Sequence, residues 1–343
     1  MAAYDGVFDT LGLRDWCDEG KEDAPVSMAQ LLAQTGGDDA SEAGGLPFPS
    51  LDVLHEACGR IGQTRDLTAG LEEGFLAIRS ELKFVLDPIT QPLSWMLDAA
   101  LWLFESAPWF IMIPALLLLT YWVSRSKSVT GFVAAVLLFF GFIDHFGVAM
   151  QTLAIVFVCT GLSVVLGVPI GIGMSKSDTA QRTIVPILDL LQTLPTFVYL
   201  IPLIFLFSVT ESKLYGIAII LYAVVPVIRL TDLGIRLVDR DVIEAANAFG
   251  LTAWQKLSRV ELPLALPNIM AGVNQTIMMS LAMVVIASLV SAPGLGVLVL
   301  RGIRNLELGV GLVAGLGIVL LAVILDRVSK AALARVDTGR KER

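Results

Sequence analysis

Glu244-Ala245-Ala246-Asn247-Ala248-Phe249-Gly250, followed by Val260-Glu261-Leu262-Pro263, is the stretch on which the reading of this 343-residue chain turns. Its surroundings are polar, with Arg236, Asp239, Arg240, Asp241, Glu244, Lys256, Arg259 and Glu261, yet it lies between two long apolar segments. A hydrophilic helix-turn-helix between membrane spans sits in water, where another protein can grip it. The two alanines permit close approach to a partner groove. Gly250 ends the first helix, because glycine is costly inside a helix and favoured just past its end. Pro263 and Pro267 are expected to open the next membrane helix.

Composition supports a membrane setting. The chain is 55% hydrophobic and 16% charged, with a mean hydropathy of +0.76, too apolar for a soluble domain of this length. Charge divides unevenly. Residues 1–108 hold 19 acidic and 6 basic residues, and residues 109–343 hold the remaining 13 and 18. The acidity thus belongs to the N-terminal tail, and neither part has the basic character of a nucleic-acid binder. Cys17, Cys58 and Cys159 have no metal-binding spacing; Cys159 reads as a small core residue, and Cys17 and Cys58 would pair only in an oxidising compartment. The first residues lack the basic and apolar regions of a signal peptide.

Seven spans are expected after the tail, at about 109–124, 128–143, 148–174, 184–208, 213–231, 267–291 and 307–326. Residues 1–85 read as an acidic, flexible tail with short helices, and 86–107 as an amphipathic helix at the membrane surface, with Trp95 and Trp102 beside Asp98 and Glu105. The two short spans within 108–147 are accessory to a core at 148–330, with the polar hairpin at 236–263 and a basic tail at 331–343. If the first span runs inward, 15 of the 18 basic residues after position 108 fall in cytoplasmic segments; only Lys213, Arg301 and Arg304 stay outside. That bias puts the tail outside and the hairpin and C-terminus inside.

The pattern Glu-Ala-Ala, three residues, Gly, nine residues, an aliphatic residue, one residue, Leu-Pro resembles the EAA loop of ATP-binding-cassette (ABC) importer permeases. Three further stretches extend the likeness: Gln192-Thr193-Leu194-Pro195-Thr196-Phe197-Val198-Tyr199-Leu200-Ile201-Pro202, Met270-Ala271-Gly272-Val273-Asn274-Gln275-Thr276, and Gly294-Leu295-Gly296 with Leu300-Arg301-Gly302-Ile303. Together they resemble the ProW-type permeases of glycine betaine/proline betaine (ProU-type) importers, over about residues 85–330. The resemblance implies an all-α polytopic membrane protein with the type I ABC importer permease fold. It also implies a second, identical permease copy, two cytoplasmic ATPases and an extracytoplasmic solute-binding protein. By the same resemblance Glu244, Ala245, Ala246, Gly250, Leu262 and Pro263 couple to the ATPase. The chain has no phosphate-binding G-x-x-x-x-G-K-[ST] loop, so no cofactor is expected here; ATP and Mg would be held by the partner, and the chain is not itself an enzyme. Related permeases serve choline, carnitine and trimethylamine N-oxide. The rivals from other classes are an autonomous ion-coupled carrier, which predicts an internal repeat, intramembrane ionisable residues and no ATPase-docking loop, and an osmosensitive channel, which leaves the EAA pattern unexplained.

Several polar groups inside the expected spans carry two readings. Pro186, Pro195 and Pro202 interrupt one span, and the freed backbone groups require protein or water beside them. Gln192, Thr193, Phe197 and Tyr199 then line a solute path, or serve packing between helices. Asn274 and Gln275 line or gate the same path, or hydrogen-bond between helices. Asp189, near the cytoplasmic surface, is expected to pair with a basic loop residue rather than to meet the solute. Gly161, Gly167, Gly171 and Gly173 read as helix-packing positions. Arg301 and Arg304 either meet the delivering protein or are solvated. His55 and His145 give no support for a metal site or a catalytic relay.

Overall fold

The computed structural model describes residues 10–12 and 64–341, all helix, turn or irregular segment, with no strand among them. The chain falls into two compact units, Met1–Ser80 and Glu81–Arg343. The described part of the first is the turn at Thr10–Gly12 and the opening of helix α1. Most of the expected acidic tail, including Cys17, His55 and Cys58, lies outside the described residues.

Twelve helices are described here in chain order. They are α1 (Thr64–Ser106), α2 (Trp109–Ser124), α3 (Lys127–Phe142), α4 (Phe146–Lys176), α5 (Asp178–Thr193), α6 (Leu200–Leu206), α7 (Ser212–Arg236), α8 (Arg240–Ala248), α9 (Ala253–Lys256), α10 (Leu262–Ala287), α11 (Leu295–Arg304) and α12 (Leu308–Lys341). The seven expected apolar segments are all helical, but not all as simple crossings. Four described helical stretches are long and apolar enough to cross a membrane: Phe146–Lys176, Ser212–Arg236, Ala253–Val290 and Leu308–Ala334. Two more crossings result if each of two sharply bent helix pairs counts as one, and Lys127–Phe142 is a shorter apolar helix.

The surface helix expected at 86–107 is the end of the longer α1, which is continuous with the helical part of the tail back to Thr64. Within the second unit, one face of α1 rests on the start of α7. Leu97 is fully buried against Gly216, where an added Cβ would stand 2.6 Å from the leucine methyl. Beside it the Lys213 ammonium is buried and donates to Asp87 (2.8 Å) and Gln91 (3.3 Å); it also pairs with Glu211 and lies over the Phe207 ring. A buried cation persists only when so satisfied. Trp95 and Trp102 point outward. After Ser106 the chain turns through 116° into α2.

The core is the packing of α4, α7 and α10. Gly171 meets the Ile228 carbonyl and Thr231 of α7, and Gly167 meets Val227. Gly272 of α10 meets the Val227 backbone, and Gly234 of α7 meets Asn268 and Ala265. Small residues let helices close to backbone contact where lipid gives no hydrophobic drive for association. Gly161 and Gly173 have nothing within reach of an added Cβ, so two of the four glycines expected to pack do so within this chain. Thr160 and Ser280 hydrogen-bond across α4 and α10 at 3.1 Å. Cys159 is buried against the Gly216 carbonyl, as a core residue.

The expected span 184–208 is two elements. Helix α5 stops at Thr193, Leu194 is extended (φ −65°, ψ 134°), and a 3₁₀ turn at Thr196–Tyr199 leads into the seven-residue α6, bent 105° from α5. Pro195 disfavours a helical conformation at Leu194 and cannot donate to the turn before it.

Candidate functional site

The polar hairpin is built as its sequence demands. Asp239 caps α8 by accepting from the Asp241 amide at 3.0 Å. At the other end Gly250 adopts φ +71°, its amide bonding the Asn247 carbonyl and the Leu251 amide bonding the Ala246 carbonyl. This is the paired closure of a left-handed helix terminus, and only glycine adopts it without strain. Thr252 then starts α9 with a reciprocal box to Gln255. Lys256 reaches back to Asn247 at 3.0 Å, tying the two arms. Ala246 is buried inside the hairpin, whereas Glu244, Ala245, Phe249 and Trp254 face outward, the last two 87% and 73% exposed. These two rings give the polar hairpin an apolar tip.

The next membrane helix does not start at Pro263, as expected, but runs without a break from Ala253 through a π turn at Leu257–Glu261. The wider turn passes the Leu262 amide back to the Leu257 carbonyl just before Pro263, where a regular helix would set the proline ring against a carbonyl. Leu262 packs on the small cluster of Ile235, Leu257, Ala265 and Ile269, which roots the hairpin in α7 and α10.

Charged pairs surround that root. The Glu261 carboxylate, 4% exposed, accepts from Lys176 at the end of α4. Arg236 donates to Asp178 (2.7 Å), to Asp232 (2.9 Å) and to the Met174 carbonyl (2.8 Å). Gln181 donates to Asp232 at 2.7 Å, and Arg229 pairs with Asp189. The partner of Asp189 is therefore on α7 and not in a loop. The three α5–α7 contacts order residues 178, 181 and 189 against 236, 232 and 229, so the two helices run antiparallel along a polar seam. Of these residues the sequence suggests a pairing only for Asp189, although their spacing on each helix marks one face.

The six residues expected on a solute path do not share one environment. Gln192 is half-buried and Thr193 exposed at the end of α5, and Phe197 is 56% exposed in the turn after it. Tyr199 is buried, and its hydroxyl has no hydrogen-bond partner among the described residues. Gln275 is exposed on α10. Asn274 faces elsewhere: it donates to Asp326 (2.9 Å) and accepts from Ser329 (2.8 Å), both on α12. This is the interhelical one of its two readings. Gly294, Gly296 and Gly302 are close-approach positions: an added Cβ would strike Thr152, Ser288 and the Gly311 backbone in turn. Thr152 also accepts the Leu295 amide at 2.9 Å. Arg301 pairs with Glu307 at 3.1 Å.

A bundle of apolar helices, broken twice and carrying an outward polar hairpin between two spans, defines a multi-pass membrane protein. The chain belongs to the binding-protein-dependent transport system inner membrane component family, whose sequence profile matches residues 163–338. It is 41% identical over 247 residues to the glycine betaine/carnitine transport permease protein GbuB of Listeria monocytogenes, covering 71% of this chain and 87% of that one. It is 44% identical to the glycine betaine transport system permease protein OpuAB of Bacillus subtilis, over 64% and 79% of the two chains. The glycine betaine/proline betaine transport system permease protein ProW of Escherichia coli is 48% identical over 56% of this chain and 54% of its own length. Among solved structures, a chain of the MetNI methionine ABC transporter in an inward-facing form superposes with a TM-score of 0.50 at 21% identity, covering 55% of this chain and 94% of that one. The fold is that of type I ABC importer permeases, and the protein is a multi-pass component of the inner membrane.

Proposed function

We propose that this chain is the membrane subunit of an ATP-driven importer for glycine betaine-like quaternary ammonium solutes. The observation that carries the reading is the 41% identity across 87% of a permease named for glycine betaine and carnitine. The hairpin supports it, since Gly250 and the exposed Phe249 and Trp254 form a docking tip beside Glu244, Ala245 and Ala246. In this reading two identical copies enclose the path, and an extracytoplasmic binding protein delivers the solute. Two cytoplasmic ATPases bind ATP and Mg and close on the hairpins; this chain hydrolyses nothing. The N-terminal tail is extracytoplasmic and the C-terminus cytoplasmic.

A quaternary ammonium has no N–H to donate, so it is held by aromatic faces and brief polar contacts. In this reading Phe197 and Tyr199, with Gln192, Thr193 and Gln275, meet the solute in a path between copies, while Asn274, bonded to Asp326 and Ser329, fastens α10 to α12. Carnitine, named for one relative, is the second reading for the solute, with choline and trimethylamine N-oxide beside it. Uptake of each radiolabelled solute by proteoliposomes holding the whole complex tests the assignment. Glycine betaine is expected to lead. Uptake independent of ATP and driven by an ion gradient would overturn the reading in favour of a carrier.

A further inference from the structure

We propose that α5 is the element that the hairpin moves, through the Lys176–Glu261 pair and the polar seam to α7. This deepens the function proposed above and rests on it.

The packing singles out α5. Helices α4, α7 and α10 meet at glycines, with Gly171 and Gly272 against backbone atoms of α7, so any relative movement among them creates clashes. Helix α5 is different. Leu188 is its one fully buried residue; with Ile184, Val185 and Leu191 it packs side chain to side chain on Val224, Val225 and Ile228 of α7, and three polar rungs, Asp178–Arg236, Gln181–Asp232 and Asp189–Arg229, complete the contact. Partly exposed polar contacts exchange with water at little net cost, whereas interlocked backbones do not.

The mechanical path is short. Glu261 lies in the π turn that joins the hairpin to α10, and its carboxylate holds Lys176, the last residue of α4. The next residue, Ser177, caps α5 by accepting from the Ala180 amide. Arg236 ends α7, where the chain enters the hairpin, and grips Asp178, the first residue of α5. Thus one arm of the hairpin grips Asp178, the first residue of α5, and the other grips Lys176, two residues before it at the end of α4. At its other end α5 stops at the Pro195 break, just before Phe197 and Tyr199. Displacement of the hairpin root shifts α5 along the seam and re-aims the break. Lys176, Glu261, Arg236, Asp232 and Gln181 are positioning residues for transport.

The test uses the complete complex in proteoliposomes, with solute uptake and ATP hydrolysis measured together. Wild type is expected to hydrolyse ATP faster with solute-loaded binding protein; if it does not, the functional assignment fails and this proposal with it. Lys176→Met and Gln181→Leu are each expected to raise the ATP used per solute by at least about twofold, within the range by which residues along a coupling network alter it. Membrane abundance and detergent melting temperature should stay near wild type. The charge exchange Lys176→Glu with Glu261→Lys should return the ratio toward wild type. Lys176→Met leaves the buried Glu261 without its cation; should it fail to accumulate, Gln181→Leu decides alone, since the buried Asp232 keeps its pairing with Arg236. Uptake and hydrolysis falling together at a constant ratio, or reduced stability alone, would overturn the proposal while leaving the importer assignment standing.

Discussion

At Gly250 the backbone alone explains the residue. Its φ is +71°, and nothing lies within 4 Å of an added Cβ, so a side chain there meets conformational cost and not collision. An L-residue in the left-handed region costs about 1–2 kcal/mol. Gly250→Ala is therefore expected to speed amide exchange at Ala246–Leu251 about fivefold or more, the equilibrium factor for that energy, and to weaken assembly with the ATPase. Gly250→Asn should be milder, because asparagine tolerates this region. Exchange measured by mass spectrometry on the purified protein checks both. Asn274 makes the opposite case, in which partners explain the residue. Its contacts with Asp326 and Ser329 join two membrane helices, and such bonds are worth about 0.6 kcal/mol on average. Asn274→Ala should lower the detergent melting temperature while uptake per inserted molecule holds. A fall in uptake at full stability would return Asn274 to the solute path.

At the level of elements, glycine position on α4 sorts packing from spare space. Gly171→Ala places a methyl 2.6 Å from the Ile228 carbonyl and from Thr231, and neither a backbone oxygen nor a β-branched side chain in a buried helix can yield cheaply. Gly173→Ala meets open space two residues on. The first substitution is expected to lower the melting temperature and membrane yield, and the second to leave both unchanged or slightly raised, since alanine favours helix by about 1 kcal/mol. Equal effects from the two would mean that α4 and α7 do not pack at Gly171.

For the molecule as a whole, orientation follows from charge. With 15 basic residues against three, the hairpin and the C-terminus are expected on the cytoplasmic side and the acidic N-terminal segment outside. Single cysteines near residues 45 and 338, in a background lacking the three native ones, can be labelled with an impermeant maleimide in intact spheroplasts. Labelling near 45 alone is the expected result; labelling near 338 alone would invert the topology.

The one-dimensional features of this protein are determined by its sequence. Segment length and apolarity locate the membrane helices, the polar interval between two of them locates the hairpin, and Gly250 and Pro195 locate a turn and a break, because each acts on the backbone within a few residues of itself. Even there the local reading has an edge: Pro263 suggested a helix start, and the chain instead absorbs the proline with a π turn inside a continuous helix. Matters of partnership were decided only by the tertiary structure. Nothing in the spacing of Gly161, Gly167, Gly171 and Gly173 tells which two touch α7. Asn274 and Gln275 are adjacent in sequence, yet the helical rotation between them sends one to α12 and the other outward. The partners of Asp189, Gln181 and Glu261 lie 40 to 85 residues away. Such pairings depend on how helices rotate and slide against one another, a property of the packed bundle and not of any one segment.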